Sequence, residues 1–274
     1  MVFKHKKGVK VMITRIITAV IAILVFFPFV IIGGWPFYLI MFLISTMGLY
    51  ELLKMRQMTK YPIPMTFTMI LLWSLILPDI DWPVFNWLFT HQLEVLLIIA
   101  LLLLSYTVLV KNKFTFEDAG FMLLSAVYIG LGFYYFVESQ ASGLHYIFYA
   151  IVVILATDTG AYFSGRLFGK QKLWPEISPN KTIEGAIGGT IIAMCSGVIF
   201  HIIVPVHDSI WVVVIVSLFA SLMGQIGDLV ESAFKRYYNV KDSGRILPGH
   251  GGILDRFDSW LFVFPFLHFI QFVS

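Results

Sequence analysis

Ser232-Ala-Phe-Lys-Arg-Tyr-Tyr-Asn-Val-Lys-Asp-Ser-Gly-Arg-Ile-Leu-Pro-Gly-His-Gly-Gly-Ile-Leu-Asp-Arg-Phe-Asp258 is a polar stretch set between two apolar runs, at about 210 to 230 and about 254 to 273. It carries five basic and three acidic residues, in a chain that is 59% hydrophobic and only 13% charged. A bare connection between two apolar segments would not need such a density of charge. The runs on either side approach the length that crosses a bilayer, about 20 residues. The stretch therefore reads as a chemically active segment emerging from a membrane.

The rest of the chain agrees with that reading. A mean hydropathy of +0.87 with 26 Phe excludes a soluble globular domain. Nine apolar segments are candidate spans: about 14 to 32, 36 to 53, 63 to 78, 93 to 110, 118 to 137, 143 to 163, 183 to 203, 210 to 230 and 254 to 273. The third is short and flanked by Pro62, Pro64 and Pro78. The first follows Lys4, Lys6, Lys7 and Lys10, as a secretory signal would. It ends in Ile32-Gly33-Gly34-Trp35-Pro36 without a small-residue cleavage site, so it is expected to be an uncleaved span. The predicted fold is an all-α integral membrane protein of about nine transmembrane helices.

Basic residues orient these helices. With nine spans, all 19 Lys and Arg fall on alternate flanking segments, and the segments between hold only Asp79, Asp81, Glu138 and Asp208 among charged groups. Basic residues collect on the cytoplasmic side of membrane proteins. The N-terminus, the loop 164–182 and the polar stretch at 231–256 are thus expected in the cytoplasm, and the C-terminus outside. Trp35, Tyr38, Trp73, Trp82 and Trp87 lie near span ends, where interfacial belts place aromatic rings. Lys4 to Arg15 either attract anionic headgroups, at about 1 kcal/mol per basic residue, or simply set topology. Cys195 stands alone in an apolar run, so an internal disulfide is excluded.

The acids cluster in the second half. Asp158, Ala161, Tyr162 and Gly165 share one helical face, a small-walled groove around a carboxylate. Asp158 is either a functional acid or the partner of a nearby Arg or helix end. Gly165, Gly169 and Lys170 suggest a phosphate loop, but Gln171 follows the Lys where a Walker motif needs Ser or Thr. Ser178-Pro-Asn-Lys181-Thr182-Ile-Glu184 reads as a capped helix start with Lys181 facing the cytoplasm, suited either to phosphate or to capping alone. Gly185, Gly188, Gly189 and Gly197 allow close helix packing, within the bundle or between two copies.

Gly224, Asp228, Glu231 or Ser232, and Lys235 form one stripe, with a carboxylate below a cationic rim. Asp255, Asp258 and Ser259 are expected on one face of the next helix. Carboxylates brought close repel unless a cation intervenes, and all-oxygen ligands point to magnesium rather than zinc. The other reading pairs these acids with Arg236, Arg245 or Arg256. Pro248-Gly-His250-Gly251-Gly252 is an amide-rich turn able to approach a phosphate or base. Together these features describe phosphoryl or nucleotidyl transfer to a lipid at a membrane edge, by positioning and charge neutralisation.

The order Ser232, Lys235-Arg236, Lys241-Asp242, Gly244, Pro248, His250-Gly251-Gly252, Asp255-Arg256, Asp258 resembles the signature of the phosphatidate cytidylyltransferases, also called CDP-diacylglycerol synthases. Asp158-Thr159-Gly160-Ala161-Tyr162, with Gly165-Arg166 and Phe168-Gly169, and Ser178 to Gly185 are further pieces similar to that family. The resemblance implies attack by a phosphatidate oxygen on the α-phosphorus of CTP, giving CDP-diacylglycerol and pyrophosphate. It implies catalytic roles for Asp228, Asp255, Lys241 and Asp242, with magnesium held by Asp228 and Asp255 and potassium as a possible second ion. It further implies substrate contacts at Asp158, Ser178, Lys181, Thr182, Ser232, Lys235, Arg236, His250, Gly251, Gly252, Arg256 and Asp258. The expected setting is a bacterial cell membrane, with CTP, phosphatidic acid and the bilayer as partners, a homodimer, and no nucleic acid. Residues 1–137 are expected to be scaffold and 138–274 the catalytic region, in what reads as one domain. A CTP-dependent transferase or kinase for another lipid would keep the same site logic. An ion-coupled transporter would instead put acids at mid-depth in paired halves.

Overall fold

The computed structural model describes residues 2–77, 83–249 and 251–273, with side chains described over 17–77, 86–249 and 251–273. His250, Asp79, Asp81, Trp82 and the side chains of Lys4 to Arg15 lie outside these. In lipid each backbone polar group must be satisfied within the protein, which favours helices. The chain runs α1 (Val2–Ile32), α2 (Gly34–Met55), α3 (Pro62–Ile76), α4 (Pro83–Thr90), α5 (Gln92–Leu109), α6 (Phe116–Ser142) and α7 (Leu144–Phe168). There follow a short hairpin of β1 (Lys172–Trp174) and β2 (Ser178–Thr182), then α8 (Ile183–Ile203), α9 (Ile210–Tyr237), α10 (Leu254–Phe257) and α11 (Trp260–Phe269).

Among the described residues six helices are long and apolar enough to cross a membrane: α2, α5, α6, α7, α8 and α9. Three shorter apolar helices accompany them, Ile17–Ile32 within α1, α3 and α11. The 15 residues of α3 rise only about 22 Å at 1.5 Å each. The single helix expected over 254 to 273 is broken. Ser259 donates its backbone N–H to Asp258 Oδ1 at 2.7 Å, a local bond that competes with the helical ladder, and α11 starts one residue later.

The fold divides into two compact units, Met1–Tyr134 with Val240–Arg256, and Tyr135–Asn239 with Phe257–Ser274. In the first, Phe37, Met41, Leu49 and Leu52 of α2, Leu71 and Leu72 of α3, Ile99 and Leu103 of α5, and Met122, Ala126 and Phe133 of α6 are buried. Trp73 ties α3 to α2, stacking on Phe42 and donating to Thr46 Oγ1 at 3.0 Å. Thr115 and Asp118 cap the start of α6 reciprocally, and Arg56 pairs with Asp118 at 2.8 Å.

In the second unit α7 and α8 meet along a seam of small residues. A Cβ at Gly189 would strike the Thr157 carbonyl and Ala161, and one at Gly185 would strike the Ala161 carbonyl and Thr182. Gly188 fits against Ser164, and Gly197 against Ser217 of α9. These glycines serve close packing inside the bundle, the first of the two uses that the sequence allows. Hydroxyls cross the same interior: Tyr149 to Ser217 at 2.8 Å, Thr157 to Ser221 at 2.9 Å, and Ser221 to Thr190 at 3.2 Å. α11 packs on α9, where Ser259 Oγ donates to the Gly224 carbonyl at 3.0 Å.

Candidate active site

The second unit holds a cavity of about 480 Å³. α7 lines it with Asp158, Ala161, Tyr162, Gly165 and Arg166, so the face predicted from spacing is the wall observed. The hairpin contributes Leu173, Asn180, Lys181 and Thr182; α8 gives Gly185 and Ala186, and α9 gives Gln225 and Asp228. The small residues of α7 and α8 bring the two backbones together and leave this volume beside them.

The hairpin forms where a helix start is expected. Ser178–Thr182 is a strand, paired antiparallel with Lys172–Trp174 so that Thr182 faces Lys172 and Ser178 faces Trp174. Pro179 disfavours helical backbone at Ser178, which pushes the segment to extended geometry. The cap therefore sits later than predicted. Thr182 is the N-cap, its Oγ1 accepting the Gly185 N–H at 3.1 Å, and Glu184 turns back to accept the Gln171 N–H at 3.2 Å. On the strand, Lys181 approaches α9, and its ammonium lies 2.5 Å from Asp228 Oδ2.

α9 arranges its polar side chains by helical spacing. Ser232 Oγ donates to Asp228 Oδ1 at 3.3 Å, Lys235 pairs with the fully buried Glu231 at 2.5 Å, and Arg236 Nε donates to the Ile177 carbonyl at 3.2 Å. The last bond ties the end of α9 to the hairpin. Gln225 Nε2 donates to Thr190 Oγ1 at 3.0 Å and closes the hydroxyl chain beneath the cavity. Gln225 is not among the residues singled out by the sequence, since an amide on an apolar helix carries no motif of its own. Asp258 is partly buried between α10 and α11.

Lys241, Asp242, Gly251, Gly252, Asp255 and Arg256 lie in the first unit, on the segment Val240–Arg256. Lys241, Asp242 and Arg256 are exposed. Asp255 Oδ2 accepts from the Ser243 N–H at 2.9 Å, Ser243 Oγ at 2.9 Å and the Gly252 N–H at 2.8 Å. Gly251 has φ +87°, a left-handed backbone that glycine adopts freely, and a Cβ there would meet the Asp255 carboxylate. Thus Gly252 of the turn expected to offer amides to a phosphate, and Ile253 and Leu254 just after it, already offer theirs to carboxylates of their own chain. The second such carboxylate is Glu51 of α2, at 2% exposure. It accepts the Ile253 N–H at 3.1 Å, the Leu254 N–H at 3.0 Å and Ser243 Oγ at 3.0 Å. Glu51 is absent from the sequence candidates. The one available signal is an acid near the end of an apolar span, which also marks an ordinary span boundary.

Among the described residues no group of three or more His, Cys, Asp or Glu gathers as a metal site. Magnesium does not require one, because it typically takes one or two carboxylates and completes its shell with water and substrate phosphates. Asp228, on the cavity wall beside the Ser232 hydroxyl, supplies the hard oxygen chemistry this ion prefers.

Comparison with known proteins bears on the same residues. A model of the cytidylyltransferase family matches residues 13–273. The phosphatidate cytidylyltransferase of Bacillus subtilis (strain 168) is 50% identical over 259 residues, covering 93% of this chain and 96% of that protein. The phosphatidate cytidylyltransferase of Staphylococcus haemolyticus (strain JCSC1435) is 48% identical over 256 residues, covering 93% and 97%. That of Staphylococcus epidermidis (strain ATCC 12228 / FDA PCI 1200) is 47% identical over 256 residues, with the same coverage. Likeness of this depth spans the N-terminal helices as well as the polar stretch, and the chain belongs to the cytidylyltransferase family.

Proposed function

We infer that the protein is a phosphatidate cytidylyltransferase of a bacterial membrane, transferring the cytidylyl group of CTP to phosphatidate in phospholipid biosynthesis. One observation carries this reading: about half of all residues are identical, over nearly the whole chain, to proteins of that name. In the reaction a phosphatidate oxygen bonds to the α-phosphorus of CTP, the bond from that phosphorus to the bridging oxygen breaks, and pyrophosphate leaves. A phosphate monoester is mostly dianionic at neutral pH, with its second pKa near 6. The attacking oxygen thus needs little help from a base.

The residues of the chain supply position and charge. Lys181 exchanges its Asp228 partner for a substrate phosphate, and Lys235, Arg236, Lys241 and Arg256 hold the remaining phosphates. Ser178, Thr182, Ser232, His250, Gly251, Gly252 and Asp258 complete the substrate contacts, and Asp158 presents a carboxylate to the cavity. Asp242 and Lys241 act with Asp228 and Asp255 at the reacting phosphates. Magnesium bound by Asp228 and Asp255 would draw charge from the α-phosphate and the leaving pyrophosphate. Potassium as a second ion and a homodimeric assembly rest on the family resemblance alone.

We read the six long and three shorter apolar helices as nine spans, with the N-terminus and the active site in the cytoplasm and the C-terminus outside. The segregation of all Lys and Arg onto alternate segments supports this orientation. The test of function is pyrophosphate release by the purified protein in detergent with phosphatidate, magnesium and either CTP or ATP. Lipid-dependent release with CTP alone is expected. Release with ATP instead, or with CTP only when another lipid is supplied, would overturn the substrate assignment.

A further inference from the structure

We propose that Glu51 is a positioning residue for the segment Ser243–Asp255, setting the geometry of Asp255 from a helix almost 200 positions earlier in the chain. The proposal rests on the catalytic role given to Asp255 above.

The observations are geometric. Glu51 sits near the end of α2 and is almost wholly buried. Its two oxygens take three donors, and all three belong to one short segment: Ser243 Oγ, the Ile253 N–H and the Leu254 N–H. Asp255 grips the same segment through the Ser243 N–H, Ser243 Oγ and the Gly252 N–H. Consecutive amides are thus divided between the two acids, Gly252 going to Asp255, and Ile253 and Leu254 to Glu51. The Ser243 hydroxyl lies within hydrogen-bond distance of both carboxylates and couples them.

Space is shared out in the same way. A Cβ on Gly244 or Gly252 would run into the Glu51 carboxylate. Glu51 thus accounts for glycine at Gly244, and together with the Ser243 hydroxyl for glycine at Gly252. A carboxylate placed only to mark the end of a span would stay solvated; this one is enclosed by the backbone that carries Asp255. Being buried, Glu51 acts through that backbone and not on a substrate.

The test compares Glu51→Gln, Gly244→Ala and Asp255→Asn by steady-state kinetics with CTP and phosphatidate at saturating magnesium. Thermal unfolding and amide hydrogen exchange over residues 243–255 are followed on the same samples. Glu51→Gln keeps the shape but turns an acceptor into an NH2 group facing a donor. Displacement of a catalytic group by about 1 Å can cost about 100-fold. The expected result is a fall in kcat of that order with KM for CTP little changed, faster exchange at residues 252–255, and a melting temperature that is lowered, since a buried donor is left unpaired, but stays above the assay temperature. Wild-type kcat in folded Glu51→Gln would overturn the proposal, as would a loss that merely tracks the fraction of folded protein. Should Glu51→Gln not fold, Gly244→Ala presses on the Glu51 carboxylate from the segment's side, and full kcat in that folded variant would overturn the proposal equally. Asp255→Asn keeps the two readings apart: if it retains full activity, the role of Asp255 falls, whereas its inactivity beside an active Glu51→Gln removes only the role of Glu51.

Discussion

The Lys181 ammonium lies 2.5 Å from the Asp228 carboxylate, joining strand β2 to helix α9 at the cavity wall. Neither side chain is deeply buried, at 28% and 32% exposure, so the pair adds little to stability. In the proposed reaction its worth lies in holding a cation and an acid ready for phosphates. Lys181→Ala is expected to lower kcat/KM for CTP about 10- to 100-fold, and to leave the melting temperature within a few degrees of wild type. Asp228→Asn is expected to cost about 100- to 1,000-fold. Steady-state kinetics with varied CTP checks both.

Gly189 packs where a side chain would strike the Thr157 carbonyl of α7. Gly189→Leu forces the two backbones apart and is expected to destabilise the protein by about 3 kcal/mol or more. Thermal unfolding in detergent measures the loss, and the folded remainder should have lost the cavity's shape and hence its activity.

Thr182 caps α8 through a single hydroxyl bond to Gly185. Thr182→Val keeps the shape and removes the acceptor, for an expected cost of about 1 kcal/mol. Differential scanning fluorimetry reads this directly. A kinetic effect larger than the stability effect would mark a contact of the same hydroxyl with substrate.

Chelation of divalent cations is expected to abolish pyrophosphate release, and magnesium to restore it, because the acids proposed as ligands offer only oxygen donors. Zinc should restore little. Activity that persists through exhaustive chelation would remove magnesium from the reaction.

Cys195 is the lone thiol, so a Cys195→Ser background permits a labelling test of orientation. With a single cysteine introduced by Gln171→Cys or by Asp208→Cys, an impermeant maleimide applied to intact cells should label the second variant and spare the first. The opposite pattern would invert the topology.

Long apolar helices were the most legible part of the chain. α8 runs from Ile183 to Ile203, the same limits that the apolar run predicts, and α9 begins at the predicted residue 210. The Asp158 face was legible for the same reason, since helical spacing alone places Ala161, Tyr162 and Gly165 beside it. The hairpin was not: strands of three and five residues are too short to show a period, and Ser178 before Pro179 imitates a helix cap. The break at Asp258–Ser259 escaped because a side chain, and no change in hydropathy, interrupts the ladder. Glu51 was the least legible of all. Its partners begin at residue 243, and no local pattern records a bond across that distance.

The same distance imposes an order on synthesis. Glu51 enters the membrane with the second helix, while Ile253 and Leu254 are made about 200 residues afterwards. At 5–20 residues per second the interval is about 10–40 s. Throughout it the Glu51 carboxylate lacks the amides that enclose it in the finished protein, and burying it unpaired is costly. Closure of the Ser243–Asp255 segment over Glu51 therefore trails insertion of α2 by that interval, and a chain truncated before residue 253 would leave the acid without the two amides that satisfy it.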